Sequence, residues 1–310
     1  MKNRKIKIPS FLKLTLQILV IVLTGYYIGR EIASGLPVIK SYRWNLNFYF
    51  WGGCFLLTVP YLFAPLMWWW IMRRLGANFS PKEGYRIWAL SNIAKYLPGK
   101  VWHILGRMVL YPGGKLVVME SIILEMGAVM IAGFWVMLLT LFATPLRIPV
   151  SRGVILILGV LTLPFILKPL FLQKVIRYPV EKIKKEPFSS SPLPFSTFSF
   201  LSIFIINIIF WASYGIGYFL ILKSIDLHLS PLLLSGVYAA SWTLGYISLI
   251  TPGGLGIREG VFVFLLKGFL PQGIPALLAI LGRVVILLTE TLMALFSLPL
   301  LKRRGISSKT

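Results

Sequence analysis

The chain has 310 residues, of which 57% are hydrophobic, 14% aromatic and 13% charged, with a mean hydropathy of +0.82. A water-soluble domain carries about 25% charged residues, so the composition excludes a soluble protein and indicates a polytopic α-helical membrane protein. The net charge of +23 does not indicate a nucleic-acid partner. The basic residues sit at the ends of apolar runs, where each gains about 1 kcal/mol from anionic headgroups, and not on a soluble module.

Taken in chain order, apolar runs of about 20 residues, the length that crosses a bilayer, fall at 11–28, 46–72, 117–143, 153–172, 197–222 and 276–300. The first follows a basic start and lacks a small-residue cleavage site, so it reads as an uncleaved span. Cys54 is alone in an apolar run and reads as a buried thiol. Trp68-Trp69-Trp70, just before Arg73-Arg74, reads as an interfacial aromatic belt. Gly215 and Gly217 read as a close helix-packing site. The segment 173–196, with its charge run, serines and prolines, reads as a cytoplasmic loop between two halves.

The basic segments 1–13, 73–86, 168–185 and 302–309 are cytoplasmic by the positive-inside rule, while 29–45 and 223–230 lie outside. Residues 87–116 then start and finish on the cytoplasmic side, turning at Pro98-Gly99-Lys100. Residues 231–275 start and finish outside, turning at Pro252-Gly253-Gly254. The expected fold is therefore an all-α integral membrane protein with about six full transmembrane helices and two oppositely entering re-entrant helical hairpins. It forms one membrane domain over 1–310, with repeat halves 46–143 and 197–300 in inverted topology. Span 11–28 is peripheral and 153–172 is a connector. The N- and C-termini are cytoplasmic, and the location is the cell inner (plasma) membrane.

Non-helical backbone at membrane depth survives only inside protein or beside a wet cavity, so the two glycine turns imply a polar interior. Gly99, Gly253, Gly254 and Gly256 permit positive φ or close approach, and the helix beginning after each turn points free N–H groups toward an anion. Ionisable groups within spans are functional candidates by default. Here they are Lys100, His103 and Arg107 in the first hairpin, Arg258 and Glu259 in the second, and Glu125, Arg283 and Glu290 in the spans. Arginine offers a bidentate grip on a phosphodiester. The structural alternative is an ion-pair network joining Glu125 to Arg283 and Glu259 to Arg107 or Arg258. Lys95 reads as snorkelling to the interface and Glu120 as interfacial.

Enzymatic motifs are missing. The chain has one Asp, Asp226, and two His, His103 and His228. It has no Asp-x-Asp pair, no His-Glu-x-x-His helix, no nucleophile elbow and no P-loop. The reading is a non-enzyme with no cofactor and no metal.

Tyr96-Leu97-Pro98-Gly99-Lys100, then Arg107, Leu110 and Glu125, resembles the first half of the lysylphosphatidylglycerol synthase transmembrane region, a flippase-like domain. Thr251-Pro252-Gly253-Gly254-Leu255-Gly256-Ile257-Arg258-Glu259-Gly260, followed by Arg283, resembles its second half. The likeness covers roughly residues 10–300. One departure is that Glu125 is followed by Met126, with no Arg or nearby Asp. The soluble aminoacyl-transferase domain of fused members has no counterpart here, so the resemblance implies the translocation half or a stand-alone relative. The expected function is binding an anionic phospholipid or polyprenyl-phosphate conjugate and translocating its headgroup. The site is Pro98, Gly99, Lys100, Arg107, Glu125, Pro252, Gly253, Gly254, Gly256, Arg258, Glu259 and Arg283. The alternative is a non-transporting membrane subunit that presents a lipid to a membrane or peripheral glycosyl- or aminoacyl-transferase.

Overall fold

The computed structural model describes residues 10–97, 101–146, 151–168, 195–248 and 251–298. Within them the chain is entirely helical: α1 Ser10–Ser41, α2 Phe48–Arg74, α3 Pro81–Asn92, α4 Trp102–Leu110, α5 Lys115–Ala143, α6 Arg152–Leu167, α7 Thr197–Lys223, α8 Pro231–Ile247, α9 Ile257–Leu266 and α10 Ile274–Ser297. Short 3₁₀ turns at Ile93–Tyr96 and Pro252–Gly254 follow α3 and precede α9. Four of these helices, α2, α5, α7 and α10, are long and apolar enough to cross a membrane.

Local chemistry sets the helix starts. The Asn47 carboxamide accepts from the Tyr49 and Phe50 N–H groups at 3.0 and 3.2 Å and opens α2. Ser80 and Glu83 form a reciprocal capping box around Pro81 and open α3. Ser230, before Pro231, accepts from the Leu233 N–H and opens α8. Expected spans and observed helices agree closely for α2, α5, α7 and α10. The first helix differs: it runs on to Ser41, through residues expected to be an outside loop. Tertiary contacts hold its polar end, with Lys267 donating to Glu31 at 3.1 Å and Gln272 to the Ser34 hydroxyl at 2.9 Å. The connector helix ends at Leu167, and the loop 173–196 lies almost wholly outside the described residues, as do Pro98, Gly99 and Lys100.

Packing follows a reciprocal scheme. Helices α2 and α7 run antiparallel along a long contact: Gly53 meets Gly217, the Ser213 hydroxyl donates to the Leu56 carbonyl at 2.7 Å, and Asn207 lies against Met67. A β-carbon on Gly53 would stand 2.6 Å from the Gly217 carbonyl oxygen, so the two backbones approach because neither residue has a side chain. Gly215 gives α8 the same access at Ser235. The last helix of each set then packs on the other set: Thr140 of α5 bonds the Leu232 carbonyl of α8 at 3.0 Å and abuts Gly236, and Glu290 of α10 accepts from Asn92 of α3 at 3.0 Å. Helix α1 packs outside against α9 and α10, and α6 outside against α5 and α7.

Trp68 corrects the belt reading. A helix turns about 100° per residue, so three consecutive tryptophans face three ways. Trp68 is fully buried and donates to Ser121 Oγ at 2.9 Å; Trp69 donates to the Phe79 carbonyl at 2.9 Å; Trp70 lies under Arg74. Cys54 is buried, as expected.

Candidate functional site

A cavity of about 400 Å³ is lined by residues of α2, α3, α4 and α5, of α7, α8, α9 and α10, and of the second glycine turn. Four cations line it, Lys95, Arg107, Arg258 and Arg283, together with one carboxylate, Glu125. The rest of the wall is mostly apolar and aromatic, including Tyr61, Trp88, Trp211, Tyr214, Trp242 and Tyr246. Four of these aromatics arrive in pairs one helical turn apart, so each pair shares a face. Trp242 and Tyr246 of α8 are stacked at 5.2 Å, 6° from parallel, and Trp211 and Tyr214 of α7 lie 5.7 Å apart.

Each cation is held differently. Arg107 on α4 is 1% exposed and forms an ion pair with Glu125 on α5; Glu125 also accepts from Trp88 Nε1 at 2.9 Å. The guanidinium lies over the rings of Trp68 and Trp88, 5.1 and 5.4 Å from their centres, and its Nε has no hydrogen-bond acceptor. Arg283 on α10 faces Glu259 on α9 at 3.7 Å, reaches the Gly253 carbonyl at 3.4 Å and lies over the Tyr96 ring. These two pairs are counterparts with exchanged charge: Arg on the short helix and Glu on the long one, then Glu on the short helix and Arg on the long one. The ion pairs expected from sequence, Glu125 with Arg283 and Glu259 with Arg107 or Arg258, are therefore replaced by Arg107–Glu125 and Arg283–Glu259.

Lys95 does not snorkel. It pairs with Glu290, which is 2% exposed at its side chain and also accepts from Asn92 and, at 2.7 Å, from the Tyr96 hydroxyl. Glu290 thus ties the 3₁₀ turn Ile93–Tyr96 to α10. Tyr96 also meets the second turn, since a β-carbon on Gly253 would stand 3.1 Å from its ring. Glu120, expected at an interface, is buried.

Arg258 stands apart. It is 7% exposed and lines the cavity, and its partner is Tyr238: it donates to the phenol oxygen and lies 4.6 Å from the ring centre. Among the described residues no carboxylate forms a salt bridge with it.

The second turn behaves as glycine chemistry demands. Gly253, Gly254 and Gly256 have φ of +57°, +71° and +87°, a region side chains disfavour. A β-carbon on Gly254 would stand 2.8 Å from the Gly245 carbonyl oxygen, so the turn folds directly onto α8. The N-terminus of α9 is already occupied. Glu259 reaches back to the Gly256 N–H at 2.7 Å, so an internal carboxylate fills the place expected for a ligand anion. Of the expected site residues, Arg107, Glu125, Gly253, Gly254, Arg258 and Arg283 line the cavity, while Gly256 and Glu259 lie behind the wall in the α9 cap. Pro252 contributes backbone to the turn. Pro98, Gly99 and Lys100 fall outside the described residues.

A comparison with protein-family models matches residues 11–294 to the Lysylphosphatidylglycerol synthase TM region. The chain belongs to that family. Comparisons with curated proteins and with solved structures give no match. Family membership and the four apolar helices together make the chain a multi-pass membrane protein. The sequence reading took Trp68 as interfacial and Tyr96 only as part of a motif, and it did not single out Trp88 or the aromatic faces of α7 and α8. The available signal was spacing: Trp211/Tyr214 and Trp242/Tyr246 recur one turn apart, the second pair just before a glycine break.

Proposed function

We propose that the chain is a flippase-like membrane protein. It binds an anionic phospholipid or polyprenyl-phosphate conjugate in the cavity and carries its headgroup across the bilayer without covalent chemistry. The observation that carries this reading is the cavity itself: four cations and one carboxylate set in a mostly apolar and aromatic wall between two interrupted helix pairs. Its volume matches a headgroup-sized ligand site. Cations in a water-poor wall favour phosphate, and arginine in particular presents a planar fork to it. Arg107 Nε, buried without an acceptor, is one donor available to a phosphate oxygen.

The architecture that suits this function is six full spans with two re-entrant hairpins in inverted repeat. Helix lengths support it. At about 1.5 Å per residue, α3 and α4 are roughly 18 and 14 Å long and α9 about 15 Å, against about 30 Å of hydrocarbon. The antiparallel α2–α7 contact and the reciprocal packing of α5 on α8 and α10 on α3 support a two-fold relation between halves, because a two-fold contact repeats with partners exchanged. Translocation proceeds by exposing the cavity alternately to either face as the halves rock.

Orientation is testable with cysteines in a variant lacking Cys54. Ser224 is buried, whereas Lys82 and His228 are exposed on opposite connections. A cysteine at position 82 is expected to react with a membrane-impermeant thiol reagent only from the cytoplasmic side of the inner membrane. One at position 228 is expected to react only from outside. Reaction of both from one side removes the topology.

Transport is tested by reconstituting the purified chain in vesicles with an acyl-labelled fluorescent phosphatidylglycerol and adding an impermeant reductant. Quenching is expected to continue past the outer-leaflet pool in chain-containing vesicles and to stop there with Arg258→Gln. Quenching that halts at the outer leaflet for the unaltered chain defeats transport and leaves the lipid-presenting subunit.

A further inference from the structure

The two counterpart ion pairs differ in closeness. Arg107 and Glu125 are in direct contact, whereas Arg283 Nε and Glu259 Oε1 stand 3.7 Å apart, too far for a hydrogen bond. Both atoms are buried, and among the described residues neither has a hydrogen-bond partner. Groups left in that condition are costly. The two residues line a second, much smaller hole of about 10 Å³. Arg258 and Arg283 line both this hole and the large cavity.

We propose that the small hole binds one ordered water, which accepts from Arg283 Nε and donates to Glu259 Oε1. A water needs about 10–15 Å³ of such space and roughly two to four polar partners. The lining supplies further partners of both kinds. Tyr238 accepts from Arg258 with its phenol oxygen, which leaves its hydroxyl proton to give. Ser241 Oγ donates to the Tyr238 carbonyl at 2.9 Å and keeps lone pairs with which to accept. Two donors and two acceptors match the two lone pairs and two protons of a water. The two guanidiniums exclude a cation from the hole, and its size excludes a phosphate or a carboxylate. The water completes the Arg283–Glu259 pair, so Arg283 is held at the cavity wall through a bridge where Arg107 is held by contact. The site stands whatever the large cavity binds.

The test is radiolytic hydroxyl-radical labelling of the full chain in lipid nanodiscs, read by mass spectrometry. X-ray radiolysis of a bound water modifies the side chains that touch it. Tyr218, Tyr238 and Phe262 line the small hole and not the large cavity, and none is more than 2% exposed. Phe200 is fully buried and lines neither. The first three are expected to be modified and Phe200 to stay unmodified. Ala279 also lines the hole. Ala279→Val fills it with methyl groups, and is expected to lose the labelling and to lower the unfolding temperature in detergent. Ala279→Ser sets a hydroxyl in place of the water, and is expected to lose the labelling and keep the temperature. Tyr218, Tyr238 and Phe262 modified no faster than Phe200 in the unaltered chain make the hole dry and overturn the proposal, whether or not the variants fold. A temperature raised by Ala279→Val overturns it as well, because filling a dry gap stabilises. Labelling that persists in both variants places the water elsewhere.

Discussion

Arg107→Gln is expected to destabilise the fold by about 3–5 kcal/mol, the loss found when one partner of a buried ion pair is removed. Glu125 would keep its bond from Trp88 Nε1 but would hold a negative charge with no cation against it. Glu125→Gln is expected to cost a comparable amount, because the Arg107 charge would then rest only on the rings of Trp68 and Trp88. The double variant removes both charges and places two amides opposite each other, so most of the loss should return. A cycle between Arg107 and Glu259 is expected to be additive, since these residues share no partner: Glu259 is held by Arg283 and the Gly256 N–H. Thermal unfolding in detergent measures all of these. A double variant no more stable than the worse single variant, or strong coupling of Arg107 to Glu259, removes the pairing. The same double variant separates structure from ligand binding. Recovered stability with lost transport identifies Arg107 as a phosphate donor whose carboxylate partner only fixes its position.

These pairings show where sequence reading stops. Hydropathy reports how deep a residue lies, because bilayer thickness fixes the apolar length of a span. Thus the ends of α2, α5, α7 and α10 were legible within a few residues. Glycine breaks were legible because positive φ restricts residue choice, and Gly253, Gly254 and Gly256 all adopt it. The direction in which a charge points around its helix was not legible. Arg107 and Glu125 lie close in sequence and meet across the short link between α4 and α5, whereas the long-range pairs first expected depended on an azimuth that one sequence does not encode. Trp68 failed for the same reason: composition marks an aromatic run, and only packing decides which ring turns inward. The extension of α1 to Ser41 was hidden because its polar end depends on Lys267 and Gln272, more than two hundred residues away in the chain.

Gly254→Val is expected to damage both fold and transport. The residue sits at φ +71°, and holding a side chain there costs about 1–3 kcal/mol. The new β-carbon would also stand 2.8 Å from the Gly245 carbonyl oxygen. That neighbour is backbone, unable to swing aside as a side chain can, and overpacking adds about 1–3 kcal/mol. The turn must therefore lift from α8. Lifting it draws Gly253 away from Arg283, whose bond to the Gly253 carbonyl is already 3.4 Å, and shifts Arg258, which lies in the first turn of α9 four residues later. A variant that still folds should therefore lose transport, because Arg258, which forms no salt bridge among the described residues, no longer faces the cavity. Gly268→Ala serves as the comparison: no heavy atom lies within 4 Å of its added carbon and its φ is not positive, so stability and transport should stay near those of the unaltered chain. Unfolding temperature in detergent and reductant quenching in vesicles give the two readouts. If Gly254→Val matches Gly268→Ala in both, the turn does not position Arg258.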